Sequence, residues 1–185
     1  MKPLILIAGP CAIEDDQLPH RIADEVNQLA RSYGMRYIFK GSYKKANRSR
    51  LDSFTGIGDE KALTILKEVG LSHGIQTITD IHESHEAVLA AQYVDHLQIP
   101  AFLCRQTALI HAAGATGKGV NIKKGQFLSP EAMQFALEKG QDAGASEVWL
   151  TERGTTFGYN DLVVDATSIA RMKQHGAPVI MDCTH

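Results

Sequence analysis

The chain has 185 residues, 44% of them hydrophobic, enough to bury one substantial core. Nineteen Lys and Arg stand against 21 Asp and Glu, a formal charge of −2 that gives no global signal for a polyanionic partner such as nucleic acid. The three cysteines, Cys11, Cys104 and Cys183, form no CxxC pair, and their odd number speaks against a secreted disulfide framework. The amino-terminal MKPLILIAGPC falls far short of the ~18 apolar residues of a membrane span and has no signal-cleavage pattern. A cytoplasmic protein with reduced thiols and no membrane partner is expected.

In chain order, short aliphatic or β-branched runs at 4–8, 37–40, 75–79, 96–99, 119–123, 147–150 and 178–182 predict seven strands. Between the first two, Leu18, Ile22, Val26 and Leu29 repeat at helical spacing behind Asp15 and Asp16; between the next two, Ala62, Ile65, Leu66 and Val69 do the same. Ser129-Pro130 reads as an N-cap followed by proline at the first helical position of the fifth helix. Strict strand–helix alternation with near-continuous apolar strands predicts a parallel sheet covered by helices, either open and doubly wound or closed into a barrel. The segment AGPCAIE after the first strand lacks the G-x-G-x-x-G of a dinucleotide site, which favours the (β/α)₈ TIM barrel. Seven strands leave that barrel incomplete, so residues 1–185 are expected to be a single α/β barrel domain truncated before its last β/α unit.

In such barrels the carboxyl ends of the strands carry the chemistry. Here those ends are rich in positive charge: Lys40, Lys44, Lys45, Arg48 and Arg50 after strand two, Arg105 after strand four, Lys123 and Lys124 after strand five, and Arg153 after strand six. A single Lys/Arg run is usually solvated surface, but convergence from four strands predicts a substrate set with more than one phosphate or carboxylate. Alternation in Val120-Asn121-Ile122-Lys123 sets Asn121 and Lys123 opposite the two aliphatics, and a lysine turned inward at a strand end calls for an anion to meet it. Asp80, after strand three, either caps the third helix or stands ionised among cations to bind a metal-bound water or a sugar hydroxyl. Cys11 ends strand one and His185 ends strand seven. A thiolate and an imidazole suit Zn²⁺ or Fe²⁺, with Cys11 as a buried apolar thiol the alternative. Cys104 and Cys183 are read as core, and His20, His73, His85, His96, His111 and His175 as surface or supporting residues.

The segments IAGPCAIE, FKGSYKKANRSR, TDIHES, QIPAFLCRQT, NIKKGQFLSP, TERGTTFGYNDLVVD and MDCTH resemble, in order and spacing, the 3-deoxy-D-manno-octulosonate-8-phosphate synthase family over essentially the whole chain. The resemblance implies condensation of phosphoenolpyruvate with D-arabinose 5-phosphate, releasing phosphate and forming the eight-carbon acid of the lipopolysaccharide inner core, in a cytoplasmic homotetramer. It implies that Lys40, Ser42, Lys45, Gln98, Lys123 and Arg153 bind phosphoenolpyruvate, with Lys123 and Arg153 at its phosphate, and that Ala101 binds substrate. Asn47, Arg48 and Ser49 would bind the pentose phosphate, with Arg105 reaching into a neighbouring subunit's site. Lys45, Asp80 and His185 are the candidate catalytic residues. Cys11 stands where the metal-independent class has Asn, which implies the metal-dependent class: a divalent metal (Zn, Fe, Mn or similar) on Cys11, His185 and a Glu and Asp beyond His185. The chain departs from the family's usual residues at Gly41, Tyr43, Lys44, Arg50, Ala108 and Asp161. A heptulosonate-phosphate or sialic-acid-type synthase, or a non-catalytic phosphate-binding fragment, are the competing readings.

Overall fold

A computed structural model describes residues 3–184. They group into two compact units, one running to Asp80 and taking in Gln92–His96, the other comprising Ile81–Ala91 and the chain from Leu97 onward. Both are built from β/α repeats.

In the first unit, β1 (Ile5–Ala8), β2 (Arg36–Lys40) and β3 (Gln76–Asp80) pair in parallel, with α1 (Leu18–Ser32) and α2 (Asp59–His73) as the crossovers. The core is Ile13, Ile38, Phe39, Leu63, Leu66 and Ile78, all fully buried. Helix α2 buries the Ala62, Ile65, Leu66, Val69 face that its spacing predicts, and Gly74 ends it in the left-handed conformation. Helix α1 departs from its predicted face: Pro19, Ala23, Asn27 and Ala30 are buried, whereas Leu18 and Leu29 are exposed. Small residues let α1 lie close, and Asn27 donates its amide to the His73 carbonyl on α2, at 3.3 Å; a stripe of leucines would hold the helices further apart. Asp15 Oδ1 accepts from the Gln17 and Leu18 amides, both at 2.7 Å, so the acidic residue expected at this start does serve its free N–H groups.

In the second unit, α3 (Glu86–Ala90), β4 (His96–Ile99), α4 (Thr107–Gly114), β5 (Gly119–Lys123), α5 (Met133–Asp142) and β6 (Val148–Glu152) follow one another. A hairpin of β7 (Thr155–Phe157) and β8 (Asp161–Val163) comes next, then α6 (Thr167–Lys173) and β9 (Val179–Met181). The strand neighbours run β4-β5-β6-β9, and the β5–β6 and β6–β9 ladders are parallel. Ile81, Leu97, Ile99, Ile110, Ile122, Met133, Trp149 and Leu150 form the core. Helix α5 begins at Met133, after a turn in which the Ser129 hydroxyl accepts from the Ala132 amide at 3.3 Å, so the serine caps that turn and not the helix itself. The β7–β8 hairpin is antiparallel and exposed along both strands, and the seven-run reading passes over it. Its signal is Gly158 in the connecting loop, at φ +68°.

The seven predicted strands thus all form, with ends shifted by one or two residues at most. Each unit shows parallel β/α architecture.

Candidate active site

Lys40 closes β2, and Gly41, Ser42 and Tyr43 run on from it as buried backbone. The turn after β1 fixes this stretch: the Ile13 amide donates to the Ser42 carbonyl at 3.0 Å. Gly9 lies so close to Lys40 that a Cβ there would sit 2.0 Å from the Lys40 carbonyl oxygen, which only glycine avoids. From β3 comes Asp80, at the strand's carboxyl end.

These residues form one chain of charge and hydrogen bonds. The Lys40 ammonium stands 3.0 Å from Asp80 Oδ2; the Ser42 hydroxyl donates to the same oxygen; Lys45 Nζ donates to Ser42 Oγ at 3.0 Å. Burial alone would raise the Asp80 carboxyl, but Lys40 beside it, the Ser42 hydroxyl and the more distant Lys45 outweigh that and hold it well below the usual carboxylate range. Asp80 is therefore an anion at neutral pH, an acceptor that orients two lysines. The capping alternative does not hold, since α3 begins only at Glu86, where Glu86 Oε2 accepts from the His82 amide at 2.7 Å.

Beyond Lys45 the chain makes an exposed excursion closed at its base by the Lys45 amide donating to the Thr55 carbonyl at 2.8 Å. Asn47, Arg48 and Ser49 ride on it, all exposed, with Arg48 Nε donating to the Phe54 carbonyl at 3.1 Å. Cys11 is exposed three residues past β1, so it is not a buried apolar thiol.

In the second unit a polar chain crosses three strands. Asn121 on β5 donates to Gln98 Oε1 on β4 at 2.9 Å and accepts from the Thr151 hydroxyl on β6 at 2.7 Å. Lys123, two residues along the same face, lies 2.5 Å from Asp182 Oδ2, with both side chains nearly buried. The anion that its buried ammonium calls for is thus supplied within the chain by Asp182, which the Glu152 carbonyl positions by accepting the Asp182 amide at 2.9 Å. Arg153, next after β6, is half-buried, and its Nε is enclosed without a hydrogen-bond partner among the described residues. Ala101 is buried at the start of a short 3₁₀ turn, Ala101–Leu103, while Arg105 is exposed.

Two sequence readings change here. Lys124, grouped by its position with the cations that converge on a substrate, is fully buried and paired with Glu152 at 3.4 Å. Cys183 is exposed, not core; Cys104 is core, and burial pushes its thiol up. His96, read as a surface or supporting residue, is buried at the start of β4. Asp182 and Thr151 are polar partners that the sequence reading passes over; strand-end position and alternation were the available signals.

The first unit brings Lys40, Ser42, Lys45 and Asp80 together, and the second joins Gln98 to Asn121 and Thr151. A family model, the DAHP synthetase I family, matches residues 2–185. The chain belongs to the DAHP synthetase I family. Among similar family members, the 2-dehydro-3-deoxyphosphooctonate aldolase of Cyanothece sp. is 49% identical over 184 residues, covering 100% of this chain and 67% of the relative. The proteins of the same name from Synechococcus sp. and Desulfotalea psychrophila are 48% and 46% identical, covering 99% and 100% of this chain and 64% and 66% of theirs. The chain spans about two thirds of the length of the curated relatives it matches.

Among the described residues no group of three or more His, Cys, Asp or Glu is placed to hold a metal ion. Cys11 by itself does not make such a centre, and His185 lies outside the described residues. No described helix is long and apolar enough to cross a membrane.

Proposed function

We propose that the protein to which this chain belongs condenses phosphoenolpyruvate with D-arabinose 5-phosphate and water, giving 3-deoxy-D-manno-octulosonate 8-phosphate and inorganic phosphate. In this step C3 of the enol phosphate bonds to the aldehyde carbon, water oxygen bonds to C2, and the phosphoryl group leaves C2 with its bridging oxygen. The reading rests on family membership, on the name the relatives share, and on one observation above all: each unit ends its strands in cations, each paired among the described residues with at most a single carboxylate. Lys40 is matched by Asp80, Lys123 by Asp182, and Arg153 Nε is enclosed without a hydrogen-bond partner among the described residues.

Lys40, Ser42, Lys45, Gln98, Lys123 and Arg153 are assigned to phosphoenolpyruvate, Asn47, Arg48, Ser49 and Arg105 to the pentose phosphate, and Ala101 to substrate. Holding two mutually repelling anions side by side is the main physical obstacle to the reaction, and fixed cations remove it by orientation and preorganised charge. Asp80, ionised, keeps Lys40 and the Ser42–Lys45 pair in place; Lys45, Asp80 and His185 are the residues assigned to the chemistry. A complete (β/α)₈ barrel, a cytoplasmic homotetramer and a divalent metal on Cys11 and His185 belong to the same proposal. For the metal, the support is the exposed thiol at Cys11; its other ligands must come from outside the described residues, and no step is assigned to it.

Initial rates of phosphate release from phosphoenolpyruvate, with arabinose 5-phosphate or erythrose 4-phosphate as acceptor, test this in the full-length protein. Turnover with the pentose phosphate and refusal of the tetrose phosphate are expected. The reverse preference would reassign it to a heptulosonate synthase.

A further inference from the structure

Lys124 and Glu152 are each 1% exposed, a complete ion pair out of water. Strand alternation sets them on the face opposite Asn121, Lys123 and Thr151. Neither residue is assigned to substrate. Lys124 Nζ lies 3.4 Å from Glu152 Oε1 and donates to the Leu128 carbonyl at 3.4 Å, the Gly154 carbonyl at 3.3 Å and the Thr155 hydroxyl at 3.2 Å. Glu152 Oε1 accepts the Gly154 amide at 2.6 Å, and Oε2 accepts the Ser168 hydroxyl at 2.5 Å. One pair thus gathers the loop after β5, the loop after β6, the first residue of β7 and helix α6.

The sequence places this pair directly beside the two cations assigned to the enol phosphate: Lys123 precedes Lys124, and Arg153 lies between Glu152, a member of the pair, and Gly154, which the pair grips at both its amide and its carbonyl. Desolvating two charges is costly, and a buried ion pair can often be exchanged for apolar residues of like volume without loss of stability. Stability alone therefore gives little reason for it. What an apolar pair lacks is direction, since it has no donors or acceptors with which to fix the Gly154 and Leu128 carbonyls and the Gly154 amide.

We infer that Lys124 and Glu152 are positioning residues that hold Lys123 and Arg153 in register to receive the phosphate of phosphoenolpyruvate; the assignment rests on the proposed reaction for its ligand. The test is the near-isosteric double variant Lys124→Met/Glu152→Gln in the full-length protein. Far-UV circular dichroism and thermal melting report folding, steady-state kinetics report both KM values and kcat, and amide hydrogen exchange reports Gly154. A folded variant is expected to lose roughly a hundredfold in kcat/KM for phosphoenolpyruvate, as misplacement by about an ångström does, with KM for the pentose phosphate changed less than about threefold. Exchange at Gly154 should quicken at least about tenfold. Unchanged kcat/KM for phosphoenolpyruvate, or a KM for the pentose phosphate raised as much as that for phosphoenolpyruvate, would overturn the assignment. If the double variant does not fold, Ser168→Ala, which frees one Glu152 oxygen, is read the same way, with a loss of at least about threefold expected. If the parent protein shows no turnover, the proposed reaction fails separately. Calorimetric binding of inorganic phosphate, weakened at least about tenfold in the variant if the pair positions the cations and unchanged if it does not, then decides the inference.

Discussion

At Asp80, burial and charge act in opposite directions on a single carboxyl group, and charge wins. Because its folded value is depressed, the stabilisation it gives is fully present above the unfolded value near about pH 4 and is lost as pH falls from there towards the lower folded value. Asp80→Asn should therefore cost about 2 kcal/mol at neutral pH and progressively less below about pH 4. Urea midpoints of both proteins across pH 3 to 7 measure this, and a constant difference over that range would contradict it. A steric prediction sits nearby. Gly9→Ala drives a Cβ into backbone, the Lys40 carbonyl, whereas Gly41→Ala meets the movable end of Ile13 at 2.6 Å. The first should cost about 3 kcal/mol or more and the second about 1 kcal/mol in denaturant titrations. At this scale the sequence is least legible: Lys123 and Lys124 look alike as adjacent letters, and only alternation on a strand separates a cation paired with Asp182 at the strand end from one sealed in the core with Glu152.

Elements were easier to read. All seven predicted strands form because each is a short apolar run between polar turns, a signal that survives small shifts at its ends. Helix α1 was legible as a helix but not in its facing, because the apolar spacing Leu18, Ile22, Val26, Leu29 lies one position round from the small-residue face that is buried. Leu29→Ala should accordingly change stability by less than about 0.5 kcal/mol, while Ala23→Leu, which overfills the buried face, should cost about 1 to 3 kcal/mol. Thermal or urea unfolding distinguishes the two, and a larger loss at Leu29 would contradict the packing. The β7–β8 hairpin escaped the strand reading because its strands are only three residues long and exposed throughout, the short run Leu162-Val163-Val164 included.

For the molecule as a whole, alternation of strand and helix carried the parallel β/α architecture, and the odd strings KANRS, QIPAFLCRQT and ERGTTFGYN carried the family, which the relatives at 49%, 48% and 46% identity and the match over residues 2–185 bear out. Carboxylate partners such as Asp182 were less legible, since pairing across 59 positions of chain leaves no local trace. The proposed metal makes its own prediction: chelation should abolish turnover of the full-length protein, and Cys11→Asn should reduce both bound metal, measured by atomic emission, and metal dependence. Undiminished activity in strong chelator would remove the metal. The central claim is that cations at the strand ends receive the enol phosphate, and ³¹P NMR titration of phosphoenolpyruvate into the full-length protein tests it most directly. Saturable binding that weakens at least about tenfold in both Lys45→Ala and Arg153→Ala is the expected result; equal binding by the parent and both variants would contradict it.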